Sequence, residues 1–255
     1  MSKYIIDLTG RVALVNGASR GIGEAIAFGL ASAGAQVICT SRKLDSCQAV
    51  VDKIVSSGGK ASAMVCHAGE MDSIKQVLAA IEKEYGKLDI LVNNGATNPY
   101  FGAMAETPEW AFDKTIDVNL KGPFYLSAGA VPLMQKAGGG SIINIASINA
   151  IQPGHWQGVY SVTKAAIVSM TKAFAKEYVA DNIRCNAILP GFVDTKMTAV
   201  FKQDEKALNA MLKDNVPMNK MADPSEMVGA VMYLASDGSS YTTGSEIVVD
   251  GGYLL

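Results

Sequence analysis

Histidine is nearly missing from this chain. Of 255 residues, only His67 and His155 are histidine. The four cysteines, Cys39, Cys47, Cys66 and Cys185, form no Cys-x-x-Cys pair. A transition-metal site with ordinary ligand spacing has little to be built from, and no metal is expected. Cys39 and Cys66 lie in apolar runs that read as buried strands, where a thiol serves as a small hydrophobe. No stretch approaches the ~20 apolar residues of a membrane span, so no membrane partner is expected. Basic residues never gather into a run and the net charge is −2. A nucleic-acid backbone would meet no matching surface. Met1–Gly10 carries one lysine, one aspartate and a short apolar stretch. That is too brief for the core of a secretory signal, and a cytoplasmic location is the expectation.

What remains is a globular composition, 49% hydrophobic and 18% charged, with 25 glycines and few aromatics. The length suits one large α/β domain or two small ones. No linker, repeat or low-complexity tract divides it, so residues 1–255 read as one domain. Strand-like runs fall at 11–16, 36–40, 61–66, 88–93, 141–146, 183–189 and 246–249. Helical spacing fills 22–33, 44–56, 72–84, 110–135 (interrupted near Gly122-Pro123), 159–179 and 226–235. Short apolar strands separated by helices imply parallel pairing through crossover connections. A parallel sheet is covered on both faces, so its strands are expected to be apolar throughout. Right-handed crossovers then give a doubly wound Rossmann sheet of seven strands, with its ligand crevice at their carboxyl ends. Gly138-Gly139-Gly140 is a loop before a strand, since no helix opens after it. Thr195–Asn219 breaks the rhythm: it is amphipathic, lacks a strand, and holds Met197, Phe201, Met211, Leu212 and Met218. It reads either as an ordinary surface helix pair or as a small helical flap that closes over substrate.

Asn16-Gly17-Ala18-Ser19-Arg20-Gly21-Ile22-Gly23 follows the first strand and opens the first helix. Glycines at 17, 21 and 23 permit a tight turn, close approach to a ligand, and packing of the helix on the sheet. The helix N-terminus offers free N–H groups and a positive dipole end to a pyrophosphate. Strand–turn–helix is the context such a motif requires. A carboxylate at the end of the second strand would hold the adenosine ribose hydroxyls. This chain has Thr40-Ser41-Arg42-Lys43 there. Arg42, with Arg20 in the glycine turn, suits a 2′-phosphate, which arginine grips bidentately. NADP(H) is therefore the expected cofactor; the other reading leaves one or both arginines as solvated surface residues.

Tyr160 and Lys164 are four apart in a helical stretch and share a face. An ammonium nearby favours the phenolate and is expected to lower the tyrosine pKa. That fits tyrosine for general acid/base work. Ser147 closes the fifth strand at its carboxyl end, where the crevice rule sets it beside the cofactor. Its hydroxyl can hold a carbonyl oxygen while Tyr160 protonates it.

The glycine turn, Asn93-Asn94, Asn119, Ser147, Tyr160-x-x-x-Lys164 and Pro190-Gly191 occur in this order over essentially the whole chain. The set resembles the short-chain dehydrogenase/reductase family. Ser41-Arg42-Lys43, Cys66-His67 and Asn98–Gly102 look like its NADP-dependent carbonyl and retinal reductases. The resemblance implies Tyr160 as general acid, Lys164 on the nicotinamide ribose, and Ser147 on the substrate oxygen. It implies Asn119 holding a water that links Lys164 to a proton relay. Asn94 and the segment Pro190, Gly191, Val193 and Thr195 would line the cofactor. His67 stands where the family has Asp or Asn beside the adenine, and either hydrogen-bonds or stacks there. Asn16 replaces the usual Thr, and Gly95-Ala96 reverses the usual Ala-Gly, so that a methyl at 96 would crowd the cofactor or shift the loop. His155, Trp156, Asn149 and Gln157 either edge the substrate pocket or are plain loop residues.

The resemblance further implies a homotetramer built on the last strand and the helix before it. The implied activity is NADPH-dependent reduction of a ketone or aldehyde, or the reverse oxidation. The flap points to a hydrophobic carbonyl, with a sugar, a steroid and an acyl-carrier β-ketone left open. A non-catalytic NADPH-binding regulator is the alternative reading, because fold alone does not give function.

Overall fold

A computed structural model of the chain describes residues 6–255, so the first half of Met1–Gly10 lies outside the described residues. Seven strands form one sheet: β1 (Val12–Asn16), β2 (Gln36–Ser41), β3 (Lys60–Val65), β4 (Ile90–Asn93), β5 (Gly140–Ile145), β6 (Ile183–Pro190) and β7 (Glu246–Val249). Their order is β3-β2-β1-β4-β5-β6-β7, and every pairing is parallel. The order reverses between β1 and β4, which opens a crevice at their carboxyl ends.

Helices fill the connections: α1 (Gly21–Ser32), α2 (Leu44–Ser56), α3 (Met71–Tyr85), α4 (Glu109–Ile116), α5 (Gly122–Ala137), α6 (Gly158–Tyr178), α7 (Glu205–Asn215) and α8 (Val228–Ala235). Side chains alternate across each strand. Leu14 and Ile142 therefore pack beneath α3, α5 and α6, where Ile81, Leu126 and Phe174 are buried. Val15 and Ile143 pack on the other face beneath α1, α2 and α8, with Leu30, Ile54 and Val231. Each such fully buried side chain contributes roughly 1.5–3 kcal/mol, so the two apolar layers fix the sheet and its crevice.

The sequence reading needs three corrections. The interior strands are buried but for a few half-buried residues, whereas the edge strands are not: β3 has exposed ends and a half-buried middle, and β7 is half-buried with Val248 exposed. Cys66 lies one residue past β3, though it is buried. The glycine stretch ends inside a strand, since Gly140 begins β5. The interruption expected near Gly122-Pro123 lies just before that pair. α4 runs into α5 through a wide π turn at Asp117–Lys121, with helical dihedrals on both sides, and Pro123 sits in the first turn of α5. Pro123 has no N–H to give back to the turn before it, and the wide turn absorbs the change in spacing.

Candidate active site

The crevice is a cleft of about 980 Å³ lined from the ends of β1, β2, β4, β5 and β6. That is the upper end of the usual range for ligand pockets. The glycine turn forms one wall. Gly17 has a φ of +75°, and a Cβ on it would come within 2.7 Å of the Gly95 Cα. Gly23 faces away from the cleft: a side chain there would strike the Gly17 carbonyl and the Asn94 amide. Asn94 straps the turn by donating to the Gly17 carbonyl oxygen at 3.0 Å. The residue 17–22 stretch thus has bare backbone toward the cleft at the start of α1, where orphan N–H groups await an anion. Gly17, Ser19, Arg20, Gly21 and Ile22 all line it.

Ser41 and Arg42 line the same end, and neither Arg20 nor Arg42 is held by a carboxylate in any ion pair among the described residues. His67 is there too. Burial, then the charge of Lys114, lowers its pKa. Lys114 approaches from α4 and was not foreseen; a lysine two turns into a helix carries no signal of which cleft it reaches.

At the other end stand Ser147, Tyr160 and Lys164. Ser147 comes two residues after β5 and Tyr160 lies in the first turn of α6, one turn before Lys164. The Ser147 hydroxyl accepts the Asn149 N–H at 3.1 Å, and it stands near enough to the Tyr160 phenol to lower its pKa. Lys164 is 4% exposed and donates to the Ile145 carbonyl at 2.8 Å. Its Nζ lies 5.5 Å from the centre of the Tyr160 ring. The expected lowering of the Tyr160 pKa is not what this geometry gives. Burial pushes the phenol up to about 12, with the Ser147 hydroxyl pulling the other way. Burial also lowers Lys164 to about 8, and the Ile145 carbonyl takes one of its three N–H donors.

Asn119 does not line the cleft. It is buried in the π turn, where its side chain clamps the Thr97 backbone by accepting from the N–H and donating to the carbonyl, each at 2.8 Å. Its own carbonyl is a different matter: the residue four on is Pro123, which has no N–H to return. Beneath the site lies a buried polar ladder. Asn93 donates to Asn144 at 2.9 Å and to Ser127 at 3.0 Å, and Asn144 donates to Thr171 at 2.9 Å. It ties β4 and β5 to α5 and α6. Its one sequence signal is Asn144 inside an otherwise apolar strand.

Pro190, Gly191, Val193 and Thr195 line the wall after β6. Thr195 touches the glycine turn, since a Cβ on Gly21 would lie 3.4 Å from its methyl. The flap segment contains a 3-10 turn (Ala199–Gln203) and α7. Phe201 meets Phe101, from the loop after β4, with ring centres 6.4 Å apart. Gln157 accepts from both Asn98 and Asn149 at 3.4 Å, so these residues are linked to one another, and Asn98 reaches the cleft. His155 and Trp156 stack on each other and are exposed.

The bare glycine backbone, the orphan helix N–H groups and the uncompensated guanidinium groups suit a dinucleotide. The residues present thus fit that group.

A family model described as enoyl-(acyl carrier protein) reductase matches residues 17–254. The chain is 36% identical over 245 residues to human dehydrogenase/reductase SDR family member 4, covering 96% of this chain and 88% of that protein. It is 37% identical over 249 residues to the 3-oxoacyl-(acyl-carrier-protein) reductase FabG of Thermotoga maritima, covering 97% and 99%. A crystal structure of a putative NAD(P)-dependent gluconate 5-dehydrogenase from Beutenbergia cavernae, with NADP bound at low occupancy, matches at a TM-score of 0.93 and 34% identity, covering 98% and 99%. These matches run over nearly the whole chain: the chain belongs to the short-chain dehydrogenase/reductase family, whose oxidoreductases use nicotinamide cofactors.

Proposed function

We propose that the chain acts as one domain, binds NADP(H), and reduces a ketone or aldehyde or oxidises the matching alcohol. The observation that carries this is the grouping of Ser147, Tyr160 and Lys164 at one end of the cleft, with Arg20 and Arg42 at the other. NADPH, when bound, supplies the hydride. The Ser147 hydroxyl orients the substrate oxygen, and Tyr160 donates its proton to that oxygen. The phenol carries its proton at neutral pH, the state the reducing direction requires. The Lys164 ammonium supplies positive charge beside the phenolate as it forms and binds the ribose hydroxyls. The Asn119 side chain fixes the loop after β4, which leaves its main-chain carbonyl to hold the relay water. Pro190, Gly191, Val193 and Thr195 line the nicotinamide, and Asn94 fixes the glycine turn. Arg42, Arg20 and Ser41 take the 2′-phosphate.

NADP in the Beutenbergia structure supports that choice. The flap covers the substrate. Met197 on the cleft wall, with the flap's Phe201 packed on Phe101, favours an apolar carbonyl. We place the protein in the cytoplasm as a homotetramer built on β7 and α8, where Tyr233 and Val248 are exposed. Light scattering reads that assembly directly.

The test is NADPH oxidation against aliphatic, aromatic and β-keto carbonyls, with Tyr160→Phe alongside. Loss of at least about a hundredfold in turnover, with NADPH binding kept, is the expected outcome. NADPH bound without turnover by either protein would favour a regulator.

A further inference from the structure

His67 and Lys114 face each other in an arrangement that leaves the lysine unsatisfied. The Gly69 backbone N–H donates to His67 Nδ1 at 3.1 Å, so that nitrogen carries no proton. The proton of the neutral ring therefore sits on Nε2. Nε2 is 3.2 Å from the Lys114 Nζ, so a donor meets a donor. Burial and the nearby charges of Lys114 and Arg42 lower the imidazole pKa, against the opposing pull of Glu70. The ring is thus neutral and already committed. Among the described residues Lys114 has no carboxylate within ion-pair distance, and neither has Arg20 or Arg42. All three line one cleft with His67. Asp194 and Asp223 also line the cleft, but neither is within ion-pair distance of these three cations, so their charges are free to meet a bound anion.

We infer that Lys114 is a third cation for the phosphorylated adenosine half of the cofactor, left without an acceptor by neutral His67 and setting the preference for NADPH over NADH together with Arg42. This rests on the NADP(H) reading above and adds a residue from α4, a helix otherwise outside the cofactor wall. Lys114 is partly exposed, so removing its charge leaves the core intact.

The experiment is calorimetric titration of the full chain with NADPH, NADH, 2′,5′-ADP and 5′-AMP, for the unmodified protein, Lys114→Met and Lys114→Arg. The expected result is NADPH and 2′,5′-ADP weakened about tenfold in Lys114→Met, the size of one charge-assisted hydrogen bond. NADH and 5′-AMP should change less than about twofold, and Lys114→Arg should recover most of the loss. An equal loss for all four ligands, or no loss for any, overturns the role of Lys114. The underlying reading fails separately: it fails if the unmodified protein binds NADH as tightly as NADPH. An unmodified protein that prefers NADPH, with Lys114→Met preferring it as strongly, would sink the Lys114 assignment alone.

Discussion

At the scale of the residue, Gly95 leaves the room that Asn16 occupies. A Cβ on residue 95 would lie 3.2 Å from the Asn16 Nδ2 and 3.4 Å from its Cγ. Asn16 is buried, and its Nδ2 has no hydrogen-bond partner. The two departures from the family pattern therefore occupy one space: a larger residue at 16 and a smaller one at 95. The methyl displaced to Ala96 lies on the cleft wall instead. Gly95→Ala should overpack this spot and cost about 1–3 kcal/mol. Adding Asn16→Thr should recover most of that, so a urea-denaturation double-mutant cycle should show coupling. Strictly additive losses would mean the two positions are independent. The sequence displayed both departures, but their contact is made between β1 and the loop after β4, and no spacing along the chain expresses it. Arg20 and Arg42 were legible because they lie beside a motif with a known local shape. Lys114 was not, since its reach depends on how α4 packs.

At the scale of the element, α6 was the most readable part of the site. Its period sets Tyr160 and Lys164 one turn apart, and the strand before it ends near Ser147. The π turn at Asp117–Lys121 was read as a break, because a Gly-Pro pair signals an interruption and not how the chain absorbs it. The flap is where an element-level test applies. Asp204 caps α7 by accepting the Ala207 N–H at 2.9 Å. Removing such a cap costs about 1 kcal/mol of helix stability. Asp204→Ala should therefore raise the KM for a carbonyl substrate severalfold and leave the NADPH Kd unchanged. Steady-state kinetics beside cofactor titration would check this; an unchanged KM would mean that α7 plays no part in covering substrate.

At the scale of the whole molecule, burial of ionisable groups sets the response to alkali. Lys164 is lowered from 10.5 to about 8, so between those values the unfolded chain holds a proton that the folded chain does not. That term makes stability rise with pH across the window. Cys39, Cys66 and Cys185 are raised from 9 to about 12 by burial, and Tyr160 from 10 to about 12. There the folded chain keeps protons that the unfolded chain loses, so stability falls as pH climbs. Cys47 and Tyr85 are raised as well, so the raised groups outnumber the lowered Lys164 and Arg184, and we expect a steep net loss above about pH 9. Lys164→Met should be more stable than the parent at pH 7, because a buried lysine lowered by this much costs about 3 kcal/mol. That advantage should vanish by pH 11, as chemical denaturation at both pH values would reveal. The doubly wound parallel sheet of seven strands was readable beforehand, because alternation of short apolar strands with helices leaves few topologies; the order of the strands comes from the structure.

The closing residues of the chain have a practical bearing. Tyr253 stacks edge-on against Phe192 at 5.4 Å, Phe192 meets Phe201 at 6.0 Å, and Phe201 meets Phe101. Met218, where the flap ends, donates its N–H to the Gly251 carbonyl at 3.1 Å. Leu255 lies fully in solvent just beyond. An affinity tag or a surface tether attached there would tug on the aromatic row that steadies the flap. Immobilised and fused forms of this protein would then differ in substrate range from the free chain while binding cofactor alike.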